Sequence, residues 1–271
     1  MNEVKAAAPF DLVLVGYRPA DTEKAIAFCN RAFGTDLVHR RVLVLNNDLL
    51  ATSAKARASG WEVIQGSNVL AEFSGWQEGW AACDRARVSP GGVIFVNDSV
   101  VTHRHFTTAR RLALVRSIRN ASGATLVGFR DRVGGSLVVA NLRVNSWAST
   151  YCFALTADAL MRLGGRLYEP EVVERCAPGG HDERLFFANL SPDLNAHLRQ
   201  WLFGGGWYAG TRLTKENAQR LTLKARCIIA EKLLSARCEA ASVKAVDPIV
   251  EHGTLRFLDK VLRRITRWIK P

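Results

Sequence analysis

The chain has 271 residues, 48% of them hydrophobic, which is enough to bury a full α/β core with a smaller region appended and excludes a disordered polymer. Lys and Arg outnumber Asp and Glu by 37 to 25, giving a net charge of +12 and a pI near 9.9, so the surface field favours polyanions such as nucleic acid, anionic lipid or sugar diphosphates. The six cysteines show neither a CxxC pair nor zinc spacing, Met1 to Phe10 lacks an apolar signal core, and no run approaches the about 18 apolar residues of a membrane-spanning helix, so buried thiols, a reducing cytoplasm and at most peripheral membrane contact are expected.

Asp11-Leu-Val-Leu-Val-Gly16 reads as a strand, and a helix after Asp21 places Ile26, Cys29 and Phe33 on one face. The βα alternation continues with a strand Val42 to Asn46, a helix Leu49 to Ala58, a strand Trp61 to Gln65, a helix from about Gly75 to Arg87, and a strand Val93-Ile-Phe-Val-Asn97. Strands apolar on both faces fit a central, mostly parallel sheet covered by helices, and such sheets bind ligands at the carboxyl ends of their strands. Next come a basic helix from Thr107 to Asn120, a strand Thr125 to Phe129, a loop at Gly134-Gly135, a strand Tyr151 to Leu155, and a short helix capped by Thr156. Ser191-Pro192-Asp193 opens a helix carrying Leu194, Leu198, Trp201 and Leu202 on one face, and Gly204 to Gly206 end it. Helix formers then run from Thr214 to about Val243, and a last helix follows Pro248 and Gly253. A soft boundary near Gly210 divides the chain into residues 1–210, an α/β domain, and 211–271, a helical C-terminal region.

The segment with most chemical content is Asn97-Asp98-Ser99, where an apolar strand runs into a carboxylate flanked by small polar side chains. A strand-end Asp can hold a divalent cation against a departing diphosphate, and Asn-Asp-Ser is equally ordinary turn chemistry. Upstream lie Gln65-Gly66-Ser67-Asn68 and Glu72-Phe73-Ser74-Gly75-Trp76, and downstream Ser149-Thr150-Tyr151-Cys152-Phe153. Taken in this order, residues 10 to 165 resemble bacterial glycosyltransferases of the GT-A fold, particularly the rhamnan-synthesis type, with their Asn-Asp-Ser strand end and later Ser-Tyr-Phe strand. The resemblance implies a GT-A-like, Rossmann-type, mostly parallel sheet flanked by helices, with a helical C-terminal region.

It also implies roles for particular residues. Asp98 would be the ligand of a diphosphate-bound metal, Mn or Mg, with Asn97 and Ser99 shaping the turn and Asn68 beside the nucleotide. Tyr17 and Arg18 would begin the nucleotide pocket, and Asn46, Asn47 and Asp48 would contact base or ribose; loop polarity alone also accounts for these residues. Two departures stand out: the first acid of an Asp-x-Asp pair is replaced by Asn97, and Val100-Val-Thr-His103-Arg104-His105 follows without the usual Gly-Pro. His103 and His105 could assist a cation or diphosphate, or be surface residues.

A transfer also needs a base for the acceptor hydroxyl, and Asp182 or Glu183, on the loop Gly179-Gly180-His181, are the candidates. An acidic pair favoured by a helix dipole is the plainer reading of the same residues. Leu198-Arg199-Gln200-Trp201-Leu202 matches an acceptor-lining segment loosely, and core packing equally. In the last helix, Arg256, Lys260, Arg263, Arg264, Arg267 and Lys270 separate from an apolar side that includes Phe257, Leu258 and Val261, the pattern of a helix at a lipid interface or of one packed on the body.

The expected function is therefore transfer of a sugar from a nucleotide-diphosphate donor to a polysaccharide or lipid-linked glycan acceptor, in the cytoplasm at the inner face of an anionic membrane, with no nucleic-acid partner. A methyltransferase is disfavoured by the single Gly16 after the first strand. A degenerate, non-catalytic transferase fold acting as an adaptor at membranes or polyanions is the alternative.

Overall fold

The computed structural model describes residues 8–47, 50–84, 89–102, 106–180, 182–188, 190–204 and 212–269, with the backbone alone at 84, 133–135, 183, 184 and 263–269. The first half alternates β1 (Phe10–Gly16), α1 (Pro19–Ala32), β2 (Val38–Leu45), α2 (Leu50–Ala58), β3 (Glu62–Gln65), α3 (Ala71–Asp84) and β4 (Gly92–Asn97). A 3-10 turn, Asp98–Val101, and α4 (Thr108–Arg119) lead into β5 (Thr125–Val139) and β6 (Leu142–Leu155). Then come α5 (Ala157–Arg162), α6 (Pro170–Arg175), α7 (Glu183–Phe186), α8 (Pro192–Phe203), α9 (Ala218–Ala240), β7 (Lys244–Val246), α10 (Pro248–Glu251) and α11 (Gly253–Ile269).

The strands form one sheet in the order β3-β2-β1-β4-β6-β5-β7, in which β6 alone runs against the others. This is the expected α/β, Rossmann-type, mostly parallel sheet flanked by helices, with a C-terminal part that is helical apart from β7. Every residue of β1 and β4 is buried, because apolar side chains alternate onto two covered faces. Val13, Val15, Val42, Val44, Val93 and Phe95 face a core closed by α3 and α9, while Leu12, Leu14, Leu43, Leu45, Ile94 and Val96 face one closed by α1, α2 and α4. Burying each such side chain is worth roughly 1.5–3 kcal/mol.

Helix α3 lies unusually close to the sheet. A Cβ at Gly79 would come within 2.3 Å of Val13 and one at Gly75 within 2.9 Å of Val15, so both positions admit only hydrogen. Trp76, between them, is fully buried and donates its indole N–H to the carbonyl of Val96 at 2.9 Å, tying the helix to the end of β4.

Several expectations about elements are corrected. Gly134-Gly135 is not a loop: β5 runs through it to Val139, with an irregularity in register between Arg132 and Leu137. The chain reverses at Ala140-Asn141, whose φ angles of 49° and 65° give the two-residue hairpin turn matched to strand twist, and Val139 pairs with Leu142. The β5–β6 hairpin thus extends past the carboxyl edge of β4 as a ribbon against which α8 packs. The boundary expected near Gly210 lies outside the described residues; beyond it, helix α9 packs on β6 and shares its core with α3, and β7 joins the sheet beside β5. Five of the six cysteines are buried, as expected.

Candidate functional site

Strand β1 leads to α1 on one side of the sheet order and β4 lies on its other side, so their carboxyl ends flank a topological switch point. Asn97 ends β4 and accepts the backbone N–H of Ser99 at 3.1 Å, and the Ser99 hydroxyl as well, starting the 3-10 turn. That turn points Asp98 back at β1. Its Oδ2 accepts the N–H of Tyr17 at 2.8 Å, the N–H of Arg18 at 3.1 Å and the hydroxyl of Thr22 at 3.3 Å. Arg18 is the N-cap residue of α1 and supplies no side-chain cap, so Asp98 caps that helix from 80 residues away. The carboxylate is only 3% exposed, and burial raises its pKa against the opposing pull of the two N–H groups.

Asp98 and its neighbours line one side of an open cavity of about 380 Å³. Tyr17 and Arg18 come from the β1–α1 loop, Ala71 and Glu72 from the first turn of α3, Asn97 and Ser99 from the end of β4, and Arg220, Lys224 and Cys227 from one face of α9. The α9 spacing is helical, and the same face continues through Ile228 and Glu231. Those two residues join Asp131, Trp147, Tyr151 and Trp201 around a contiguous recess of about 140 Å³, which shares Glu72, Asn97, Ser99, Lys224 and Cys227 with the cavity.

The polar residues at the β2 end are organised around Tyr17. Asn46 Nδ2 donates to the Tyr17 hydroxyl at 2.9 Å and to the carbonyl of Ala71 at 3.1 Å, and Asn47 Nδ2 donates to the carbonyl of Tyr17 at 2.8 Å. Burial and then the charge of Glu72 raise the phenol pKa, so Tyr17 serves as a neutral hydroxyl. Asn68 has φ of 56°, and its Oδ1, like that of Asn46, is buried with no hydrogen-bond partner among the described residues.

Below the recess lies a charged cluster that sequence reading passed over. Lys232 is fully buried, its ammonium 2.7 Å from Glu231 Oε2 and 3.3 Å from the ring centroid of Trp147. Glu231 Oε1 accepts from the N–H of Thr150 at 3.1 Å and its hydroxyl at 3.0 Å, and Ser149 donates its hydroxyl to Asp131. Burial lowers the Lys232 pKa while Glu231 and then Asp131 support the charged form. His197, edge-on to Trp147, is pushed down to about 4 by burial and then by Lys232, so it is neutral near pH 7. A helical stripe of Lys224, Cys227 and Glu231 was the available signal.

Other expected site residues stand apart. Asp182 accepts the N–H of Leu185 at 3.0 Å, which makes it a cap at the start of α7, and it does not line the cleft. The dipole reading of that acid is therefore the one its geometry supports. The side chain of Glu183, and residues Asp48, His103 and His105, lie outside the described parts. Trp201 reaches the recess, while Leu194, Leu198 and Leu202 on the same helix are core.

A divalent cation held by protein side chains alone does not fit at Asp98. One carboxylate oxygen is already shared by three donors, and among the described residues no group of three or more His, Cys, Asp or Glu side chains could hold a metal ion. No protein-family model matches this sequence, and no curated protein does.

Proposed function

We propose that this chain is a nucleotide-sugar-dependent glycosyltransferase acting on a polysaccharide or lipid-linked glycan. The observation that carries this reading is the two-part cleft at the carboxyl ends of β1 and β4, a polar cavity with cationic side chains opening into a recess walled by indole and phenol rings and carboxylates. The cavity suits a nucleoside diphosphate, with Tyr17, Asn97 and Ser99 as polar contacts. The recess suits a sugar acceptor, whose C–H face stacks on Trp201 and whose hydroxyls bond to carboxylates. Asp131 is exposed there and is the carboxylate we assign as base, because Glu231 is bound to Lys232 and Thr150. The resemblance of residues 10 to 165 to rhamnan-synthesis-type transferases supports the same reading.

The membrane part rests on α11. Among the described residues no helix is long and apolar enough to cross a membrane. Helix α11 is held to α4 through Asp259, which accepts from Thr107 at 2.7 Å and from Arg110 at 3.2 Å, and Leu255 at its start packs on the core. Phe257, 67% exposed, and Leu258 and Val261 are left facing outward beside Arg256 and Lys260. An apolar strip with basic neighbours suits the interface of an anionic bilayer, where a lipid-linked acceptor resides.

Incubation of the full chain with a panel of nucleotide sugars and membrane-extracted lipid acceptors, followed by detection of transfer or donor hydrolysis, tests the reading. Turnover of one donor that is lost in Asp131→Asn is expected. A non-catalytic adaptor of the same fold is the second reading, favoured by the internal engagement of Asp98, and it requires that no donor be turned over or bound.

A further inference from the structure

We propose that the cations Arg220 and Lys224 of α9, together with Arg18, neutralise the donor's diphosphate in this protein, so that nucleoside diphosphates bind without a divalent metal. The proposal rests on the transferase reading and concerns how its donor site works.

The transfer itself creates the need. The acceptor oxygen forms a bond to the anomeric carbon, and the bond from that carbon to the terminal phosphate oxygen breaks with its electron pair passing to the phosphate. The acceptor proton goes to a carboxylate of the recess. The nucleoside diphosphate therefore departs with more negative charge than it carried as a diester, and something fixed must stabilise that charge. A strand-end carboxylate holding a metal is one solution, and Asp98 is committed elsewhere: its Oδ2 takes the N–H groups of Tyr17 and Arg18 and the hydroxyl of Thr22.

The side chains around the cavity supply another solution. Three cations, Arg18, Arg220 and Lys224, line the same 380 Å³ space, facing the carboxylates of Glu72 and Asp98. Asp98 is held by its own donors and Arg18 pairs with Asp21 at 2.9 Å, so Arg220, Lys224 and Glu72 are the further charges the cavity carries, two cations to one carboxylate. Arg220 and Lys224 are four residues apart in the first two turns of α9, a 23-residue helix, so both project from one face over the cavity. Ala71 and Glu72, at the N-terminal end of the 14-residue α3, approach from the other side. Guanidinium and ammonium groups placed this way can bond to diphosphate oxygens directly.

Isothermal titration calorimetry of the full chain with uridine, guanosine, thymidine and cytidine diphosphates, in excess EDTA and separately in Mg²⁺ and Mn²⁺, tests this. We expect one diphosphate to bind with the same Kd in all three buffers. Lys224→Met and Arg220→Met should each weaken it about tenfold or more, as truncating one partner of a charged pair does, while Lys224→Arg retains most of the affinity. Binding that appears only with metal overturns the proposal and leaves the transferase reading standing; unchanged affinity in both Met variants overturns it too. Binding of none of the four in any buffer overturns both. Circular dichroism melts report whether the variants keep the fold. If a Met variant does not, the salt dependence of wild-type binding in EDTA decides, and a Kd insensitive to salt overturns the proposal.

Discussion

The ammonium of Lys232 lies 3.3 Å from the ring centroid of Trp147 and 2.7 Å from Glu231 Oε2, with none of its side-chain surface exposed. A cation in that position is stabilised by the π face and the carboxylate together, and each partner depends on the other. Lys232→Met leaves the Glu231 carboxylate, itself 16% exposed, without its counterion. Urea unfolding should show a loss of about 3–5 kcal/mol. The double variant Glu231→Gln with Lys232→Met should recover most of it, and a double variant as weak as the single one would refute the pairing.

His197 gives the fold a pH dependence. Its folded pKa is depressed from 6.5 to about 4, so the unfolded chain takes up a proton that the folded chain refuses. Stability from this group is complete above about 6.5, declines as pH falls through the window between 6.5 and about 4, and changes no further below it. Denaturation midpoints measured across that window should fall in the wild type and fall less in His197→Phe. Parallel curves for the two proteins would assign the dependence to other groups.

Asp98 is expected to act on the shape of the β1–α1 loop. Asp98→Asn keeps an acceptor for the N–H groups of Tyr17 and Arg18 but loses the charge, and should cost about 1–2 kcal/mol; Asp98→Ala strands two donors and should cost about 2–4 kcal/mol. Diphosphate affinity should follow the same order, with Asn intermediate. Equal, complete loss of affinity in both variants at unchanged stability would instead indicate a direct ligand role.

On α11, Phe257→Ser, Leu258→Ser and Val261→Ser combined should leave the melting temperature nearly unchanged, since all three side chains already face outward. The same triple variant should sediment much less with vesicles of anionic lipid, because interfacial binding scales with buried apolar area. Retained sedimentation, or none by the wild type, would rule out α11 as a membrane contact.

Asp259→Ala removes the anchor between α11 and α4 and leaves Arg110, which also stacks over Phe129 with its guanidinium carbon 4.7 Å from the ring centroid, short of its countercharge. A stability loss of about 3 kcal/mol is expected from breaking such a pair. Limited proteolysis near His252-Gly253 should accelerate with it, and an unchanged cleavage rate would show that α11 is held by other contacts.

The sheet was legible in the sequence because β1, β2 and β4 are apolar on both faces and separated by helical patterns, and Asn97-Asp98-Ser99 pointed to the right end of β4. What escaped notice were features made by distance along the chain. Ala140-Asn141 lacks the glycine that usually marks a hairpin, so β5 was expected to stop at Phe129 and β6 to begin only at Tyr151. The engagement of Asp98 depends on two backbone N–H groups 80 and 81 residues away, which no local pattern records. Asp182 and Glu183 stand out as adjacent acids on a glycine-bearing loop, and two of the carboxylates in the recess, Asp131 and Glu231, sit in a strand and a helix that read as ordinary structure. The faces of α11 separated as expected by angle, but the helix docks through Asp259, a lone acid in its basic and apolar pattern.

One helix, α9, carries both Lys224 at the cavity and Glu231 at the recess. Seven residues of α-helix span about 10 Å, so the interval between the two compartments is ruled off by backbone hydrogen bonds and cannot drift with loop length or side-chain rotamer. Inserting a single residue between them would swing Glu231 by about 100° off the shared face, uncoupling the compartments at a stroke while leaving each one's remaining walls in place.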